Sequence, residues 1–153
     1  MILGNRISGS IPINLTGLHV YLLDISYNGL YAAETEVHQW LDRRQSEWSA
    51  TQTTAPTNVS AVSISSSSIK VSWTPIKYKE DKGGYEVYYS TTPRGPWLEA
   101  GMTANKLTSS FEITALSPGK KYYFVVQTRT DPHIKNKNTL VSGYSKVVFA
   151  STK

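Results

Sequence analysis

Cysteine is absent from all 153 residues, which excludes a disulfide framework, a thiolate nucleophile and a thiolate metal site. The absence leaves the redox compartment open, because β-sandwich modules outside cells can be stable on packing alone. Long apolar runs are missing as well. No stretch of about 18 apolar residues could cross a bilayer, and the opening Met1-Ile2-Leu3-Gly4-Asn5-Arg6 is too short in apolar residues for a signal core. No membrane insertion is expected, and the export signal of a secreted parent would lie upstream of residue 1. The sequence contains no G-x-S-x-G, no H-E-x-x-H, no glycine-rich phosphate loop and no Arg-Gly-Asp. Its three histidines, His19, His38 and His133, have no carboxylate at triad or metal-ligand spacing. No catalytic, metal-binding or cofactor-binding residue is expected, and the chain reads as a non-enzyme.

What is present is positive charge, unevenly spread. Residues 1–50 hold Arg6, Arg43 and Arg44 against Asp24, Glu34, Glu36, Asp42 and Glu47, a net −2, which leaves +7 for the remainder of a chain whose total is +5. The lysines, among them Lys70, Lys77, Lys79, Lys82, Lys106, Lys120 and Lys146, are scattered along the sequence without interleaved stacking aromatics. That pattern argues against nucleic acid as a partner and for a solvated surface with protected strand edges. Two sequons, Asn14-Leu15-Thr16 and Asn58-Val59-Ser60, carry meaning only in a eukaryotic source.

In the first thirty residues the apolar positions follow no single period. Asn-x-Ile at Asn5-Ile7 and Asn-x-Leu at Asn28-Leu30 recur 23 residues apart, inside the window of a leucine-rich repeat. A buried Asn in such a coil satisfies backbone groups that a sharp turn leaves unpaired. Residues 32–45 have Ala33, Val37, Trp40, Leu41 and Arg44 at helical spacing, with acids early and arginines late, as the macrodipole favours. A helix there would cover the last coil, with Trp40 and Trp48 as covering side chains. The small polar residues 51–55 read as a linker, and Trp48 as a contact between the flanking parts.

From Pro56 the pattern alternates with period two. Ile69, Val71 and Trp73 make one inward row, Tyr85, Val87 and Tyr89 a second, Tyr122, Phe124 and Val126 a third, separated by turns at Lys82-Gly83-Gly84, Pro93-Arg94-Gly95-Pro96 and Ser117-Pro118-Gly119.

These residues resemble the fibronectin type III family. Pro56-x-Asn58-Val59 is similar to its opening strand, Ile69-Lys70-Val71-Ser72-Trp73 to the strand with the core Trp, Gly84-Tyr85-Glu86-Val87-Tyr88-Tyr89 to the next, and Leu116-Ser117-Pro118-Gly119-Lys120-Lys121-Tyr122 to the corner whose Tyr hydroxyl bonds back to the backbone. Asn5-Arg6-Ile7-Ser8-Gly9-Ser10-Ile11-Pro12 resembles a leucine-rich repeat of the plant type. The resemblances imply a mainly β chain: the C-terminal end of a leucine-rich-repeat domain over 1–50 with a capping helix at about 32–45, a linker at 51–55, and a seven-stranded, immunoglobulin-like sandwich over 56–153. They are similar to the order found in large bacterial surface or secreted proteins, which implies an extracellular or cell-surface interaction module for adhesion or recognition of a protein or glycan, without cofactor. The alternative is a passive spacer or accessory module of a secreted glycan-degrading enzyme. By family likeness, the loop before the last strand, about 131–143, is the expected contact loop, with Asp131, His133, Lys135 and Lys137 as its binding residues. The open N-terminal edge of the repeat implies a cover, either further repeats upstream or self-association of two copies through that edge.

Overall fold

The computed structural model describes residues 2–153. Parallel pairing organises the first part: β1 (Ser8–Ser10) runs beside β2 (Gly29–Tyr31), with Ser8 opposite Gly29 and Ser10 opposite Tyr31. Two three-residue strands form too few ladder bonds to hold themselves. Asn28, fully buried, supplies the rest. Its Oδ1 accepts the Asn5 N–H at 3.1 Å and the Ile7 N–H at 3.3 Å, and its Nδ2 donates to the Ile2, Ile25 and Ser26 carbonyls. On the other side of the turn two glutamines act in the same way. Gln45 Oε1 accepts the Ile25 N–H at 3.0 Å, and Gln52 Oε1 accepts the Leu30 N–H at 3.0 Å while its Nε2 donates to the Ile25 carbonyl.

The helix expected over 32–45 forms as α1 (Thr35–Asp42). It starts later because Glu34 is extended, and after Arg43 the chain turns so that the Gln45 side chain reaches Ile25. Val37, Trp40 and Leu41 on its inner face join Ile11, Ile25, Leu30 and Trp48 in a core of their own. Both tryptophans are thus internal to this part, and Trp48 hydrogen-bonds Asp42 rather than reaching the sandwich.

In the second part, β3 (Thr57–Ser63), β4 (Ile69–Thr74), β5 (Gly83–Ser90), β6 (Leu98–Met102), β7 (Ser110–Ile113), β8 (Lys121–Thr130), β9 (Leu140–Val141) and β10 (Val148–Ser151) form two antiparallel sheets. One has the order β3-β4-β7; the other has β10-β8-β5-β6, with β9 also on β8. The last strand of the sandwich is therefore broken into β9 and β10 along one edge. The three alternating rows face inward as read from the sequence: Ile69, Val71, Trp73, Tyr85, Val87, Tyr122, Phe124 and Val126 share one core. Tyr122 Oη accepts the Ser117 N–H at 3.0 Å, which fixes the corner entering β8.

Residues 51–55 are not a solvated tether. Gln52 and Thr53 are buried, and the Thr53 N–H donates to the Asn28 carbonyl at 2.8 Å, so this segment continues the hydrogen bonding of the first part up to the start of the sandwich.

Candidate functional site

The densest polar arrangement lies where the two parts meet, under the loop between β8 and β9. Tyr27, held in a left-handed conformation at the turn before Asn28, presents its ring to Tyr78 at 5.8 Å and to His133 at 5.3 Å. His133 stands between Asp81, 3.3 Å from Nδ1, and the Tyr78 hydroxyl, 3.3 Å from Nε2. The Tyr78 hydroxyl donates to the Asp81 carboxylate. Burial, and then that carboxylate, push the Tyr78 hydroxyl far above the ordinary tyrosine range.

Beneath Tyr78 lies Lys106, whose side chain is enclosed, with only 1% of the residue exposed. Its Nζ sits 3.8 Å from the Tyr78 ring centroid and donates to Thr130 Oγ1 at 3.3 Å; Thr130 in turn shares a hydrogen bond of 2.8 Å with Thr53. Burial pulls the Lys106 ammonium down to about 8, against the opposing pull of Asp81, Glu80 and Asp131. An open cleft of about 420 Å³ adjoins this network, lined by Glu80, Asp81, Asn105, Lys106, Leu107 and Asp131 among others. The amine is engaged by a ring face and a hydroxyl. Chemically this is a buried cation held by an aromatic ring and a threonine hydroxyl, and that hydroxyl links it to Thr53 of the first part. Among the described residues no three of His, Asp and Glu converge on a metal-sized site.

The four residues expected to bind from the loop after β8 do not come together. Asp131 accepts from Arg129 Nε at 2.9 Å, and the His133 side chain, 8% exposed, faces the junction. Lys135 and Lys137 are exposed on the outer side of the turn, beside Ile134 at 82% exposure. Between them Asn136 is buried, and its Nδ2 donates to the Asn5 carbonyl at 3.0 Å and the Tyr27 carbonyl at 2.8 Å. The turn also presses on Gly4: a Cβ there would lie 2.2 Å from the Lys135 carbonyl oxygen. Half of this loop is thus a clamp on the first part. Asn136, Thr53, Thr130, Lys106 and Tyr78 were not singled out by sequence as site residues, since partners 24 to 131 residues apart leave no local signal.

Comparison with known proteins bears on the larger unit. Residues 54–140 match the family model described as the fibronectin type III domain. No curated protein matches the chain by sequence. Among solved structures, a Fn3-like protein from Clostridium thermocellum is 22% identical with a TM-score of 0.52, the match covering 66% of this chain and 94% of that one. A β-1,2-glucanase from Parabacteroides distasonis is 21% identical with a TM-score of 0.52, covering 67% of this chain and 13% of its own. A structure described as a myokine is 22% identical with a TM-score of 0.51, covering 66% and 98%. At these identities the likeness is one of fold. With the two-sheet order, the tyrosine corner and a family match over more than half its length, the chain belongs to the fibronectin type III family.

Proposed function

We propose that this chain is a non-catalytic, extracellular or cell-surface interaction module in which the end of a leucine-rich-repeat array is fused to a fibronectin type III sandwich. The observation that carries the reading is a repeated bonding pattern. Asn5 Nδ2 donates to the Ile2 and Leu3 carbonyls, as Asn28 Nδ2 donates to those of Ile25 and Ser26, each pair displaced by the same 23 residues. Asn28 Oδ1 takes two N–H groups of the preceding coil, whereas among the described residues Asn5 Oδ1 has no such donor. Asn5 is therefore set to receive a coil on its N-terminal side, while α1, Gln45 and Gln52 close the other side as a cap. Ile7 at 40%, Leu18 at 53%, Tyr21 at 101% and Leu22 at 72% exposure are apolar side chains of the first part that a second copy would cover.

Appending one in-register coil upstream should raise the unfolding midpoint of the first part, and Asn5→Ala in that extended chain should cancel the gain; an extension without effect would reject the repeat reading. Light scattering of the chain as it stands should give a dimer, and a monomer at high concentration would reject self-association. The exposed Lys135 and Lys137 are the contact residues of the loop in this reading, so replacing both with Ala should weaken a protein or glycan ligand found by array screening. A second reading, a spacer in a secreted glycan-degrading enzyme, is favoured by the likeness to part of a β-1,2-glucanase. Immunoblotting of cell, envelope and medium fractions separates the two by the size and activity of the parent band.

A further inference from the structure

At the start of β8 the outer face of the five-stranded sheet carries a group that neither the junction nor the loop after β8 uses. Tyr122 and Phe124 point into the core, so Lys121 and Tyr123 alternate outward. Phe149 of β10 lies directly opposite Tyr123, with ring centroids 6.1 Å apart. Lys121 Nζ sits 3.9 Å from the Phe149 centroid and 5.4 Å from that of Tyr123. Phe149 is 59% exposed. Lys120 and Lys153, both exposed, flank the group where the Gly119 N–H meets the Lys153 carbonyl. Among the described residues no lysine forms an ion pair with a carboxylate side chain. Between residues 113 and 153 the sole acidic side chain, Asp131, is taken by Arg129 at the far end of β8.

We propose that this corner binds an anionic polysaccharide, of the kind whose sugars bear carboxylates. Charge complementarity sets the sign of the ligand, since ammonium groups supply only donors. The aromatic pair sets its second property, an apolar ring face alternating with the charge. A peptide laid across this face would leave its own backbone unpaired, because the backbone groups of β8 and β10 bond each other. A nucleic acid base would seek an open ring to stack on, and Lys121 already covers Phe149. A carboxylated sugar has neither requirement: its carboxylate meets Lys121 and its C–H face meets the exposed ring flanks. The group is not visible in the sequence because Lys121 and Phe149 meet only through the β8–β10 pairing.

The inference rests on the reading of the chain as an interaction module but uses a different surface, so the two can fail separately. The whole chain should be slowed in a native gel cast with alginate and not in one cast with dextran, and the retardation should fall as salt is added. Lys121→Gln/Phe149→Ser should weaken alginate binding about tenfold, with near-ultraviolet dichroism unchanged because both side chains are exposed. Lys70→Gln, which removes the same charge from the other sheet, should bind as the parent does. No retardation by alginate, equal loss in both variants, or tighter binding to single-stranded DNA would overturn the proposal. Loss of alginate binding in Lys135→Ala/Lys137→Ala alone would overturn this corner and leave the interaction-module reading standing.

Discussion

The two parts of this chain meet the same demand, that buried backbone groups be paired, by opposite means. In the sandwich the main chain does it: β5 and β8 pair without interruption from Gly83–Thr130 to Ser90–Tyr123, and side chains are left to fill the core. In the first part the ladders are three residues long, and Asn28, Gln45 and Gln52 replace missing strand neighbours with side-chain amides. A ladder spreads its stability over many bonds, so no one residue carries much of it. An amide that bonds five backbone groups concentrates stability in a single position, and the two regions should therefore respond very differently to single substitutions.

Asn28→Ala is the largest break in this comparison. It removes five hydrogen bonds around a fully buried side chain and leaves backbone groups that are buried or partly buried without that partner. A loss of about 4 kcal/mol is expected in the first part. Hydrogen exchange should then show the amides of β1 and β2 opening while those of β5 and β8 stay protected. Uniform loss across both parts would mean that they fold as one unit and that the contrast is not energetic.

Asn136→Ala tests the seam itself. Its side chain links the sandwich loop to the carbonyls of Asn5 and Tyr27, so the substitution should cost about 2 kcal/mol and split a single thermal transition into two, with the sandwich melting second. A single transition that merely shifts would place the coupling in the Thr53–Thr130 pair and the Tyr27 contacts instead.

Lys106 sharpens the comparison through pH. Folded, it loses its proton at about 8; unfolded, it holds it to the ordinary 10.5. Between those values the unfolded chain binds more protons, so stability rises with pH across the window and is level below it. Tyr85 and Tyr88, both raised by burial from 10.0, the latter to about 12, act oppositely above pH 10. The rise is therefore to be read between pH 8 and 10. Lys106→Met should flatten it and add roughly 2 kcal/mol at pH 7. A chemical-denaturation series across that range that keeps its slope in the variant would assign the slope to another group.

Much of the sandwich was legible because its signals are local. Alternation at Ile69, Val71 and Trp73 gives the inward row, and the Leu116 to Tyr122 spacing gives the corner whose hydroxyl takes the Ser117 N–H. Asn28 was legible as a buried turn residue for the same reason. The junction was not. The loop from Asp131 was read as a contact loop, but Asn136 and His133 are drawn inward by Tyr27 and Asn5, more than a hundred residues earlier. Nor does any local pattern mark Lys106 as enclosed, since its partners Tyr78 and Thr130 come from different strands and loops. Gln52, placed in the linker by its small polar neighbours, is buried because the Leu30 N–H requires an acceptor.

The smallest effect puts the same substitution in both regions. Glu47, ahead of the turn that carries Trp48, and Ala115, ahead of the tyrosine corner, are both exposed and both in left-handed backbone, with φ of 58° and 59°. A side chain there suffers steric strain that glycine relieves, offset by the extra freedom glycine gives the unfolded chain. Glu47→Gly and Ala115→Gly should each add about 0.5 kcal/mol. In denaturant melts followed separately, by exchange of the β2 amides and of the β8 amides, each gain should stay within its own part. If Glu47→Gly also raises protection in β8, the junction transmits stability, and Thr53–Thr130 becomes the first pair to replace with Val on both sides.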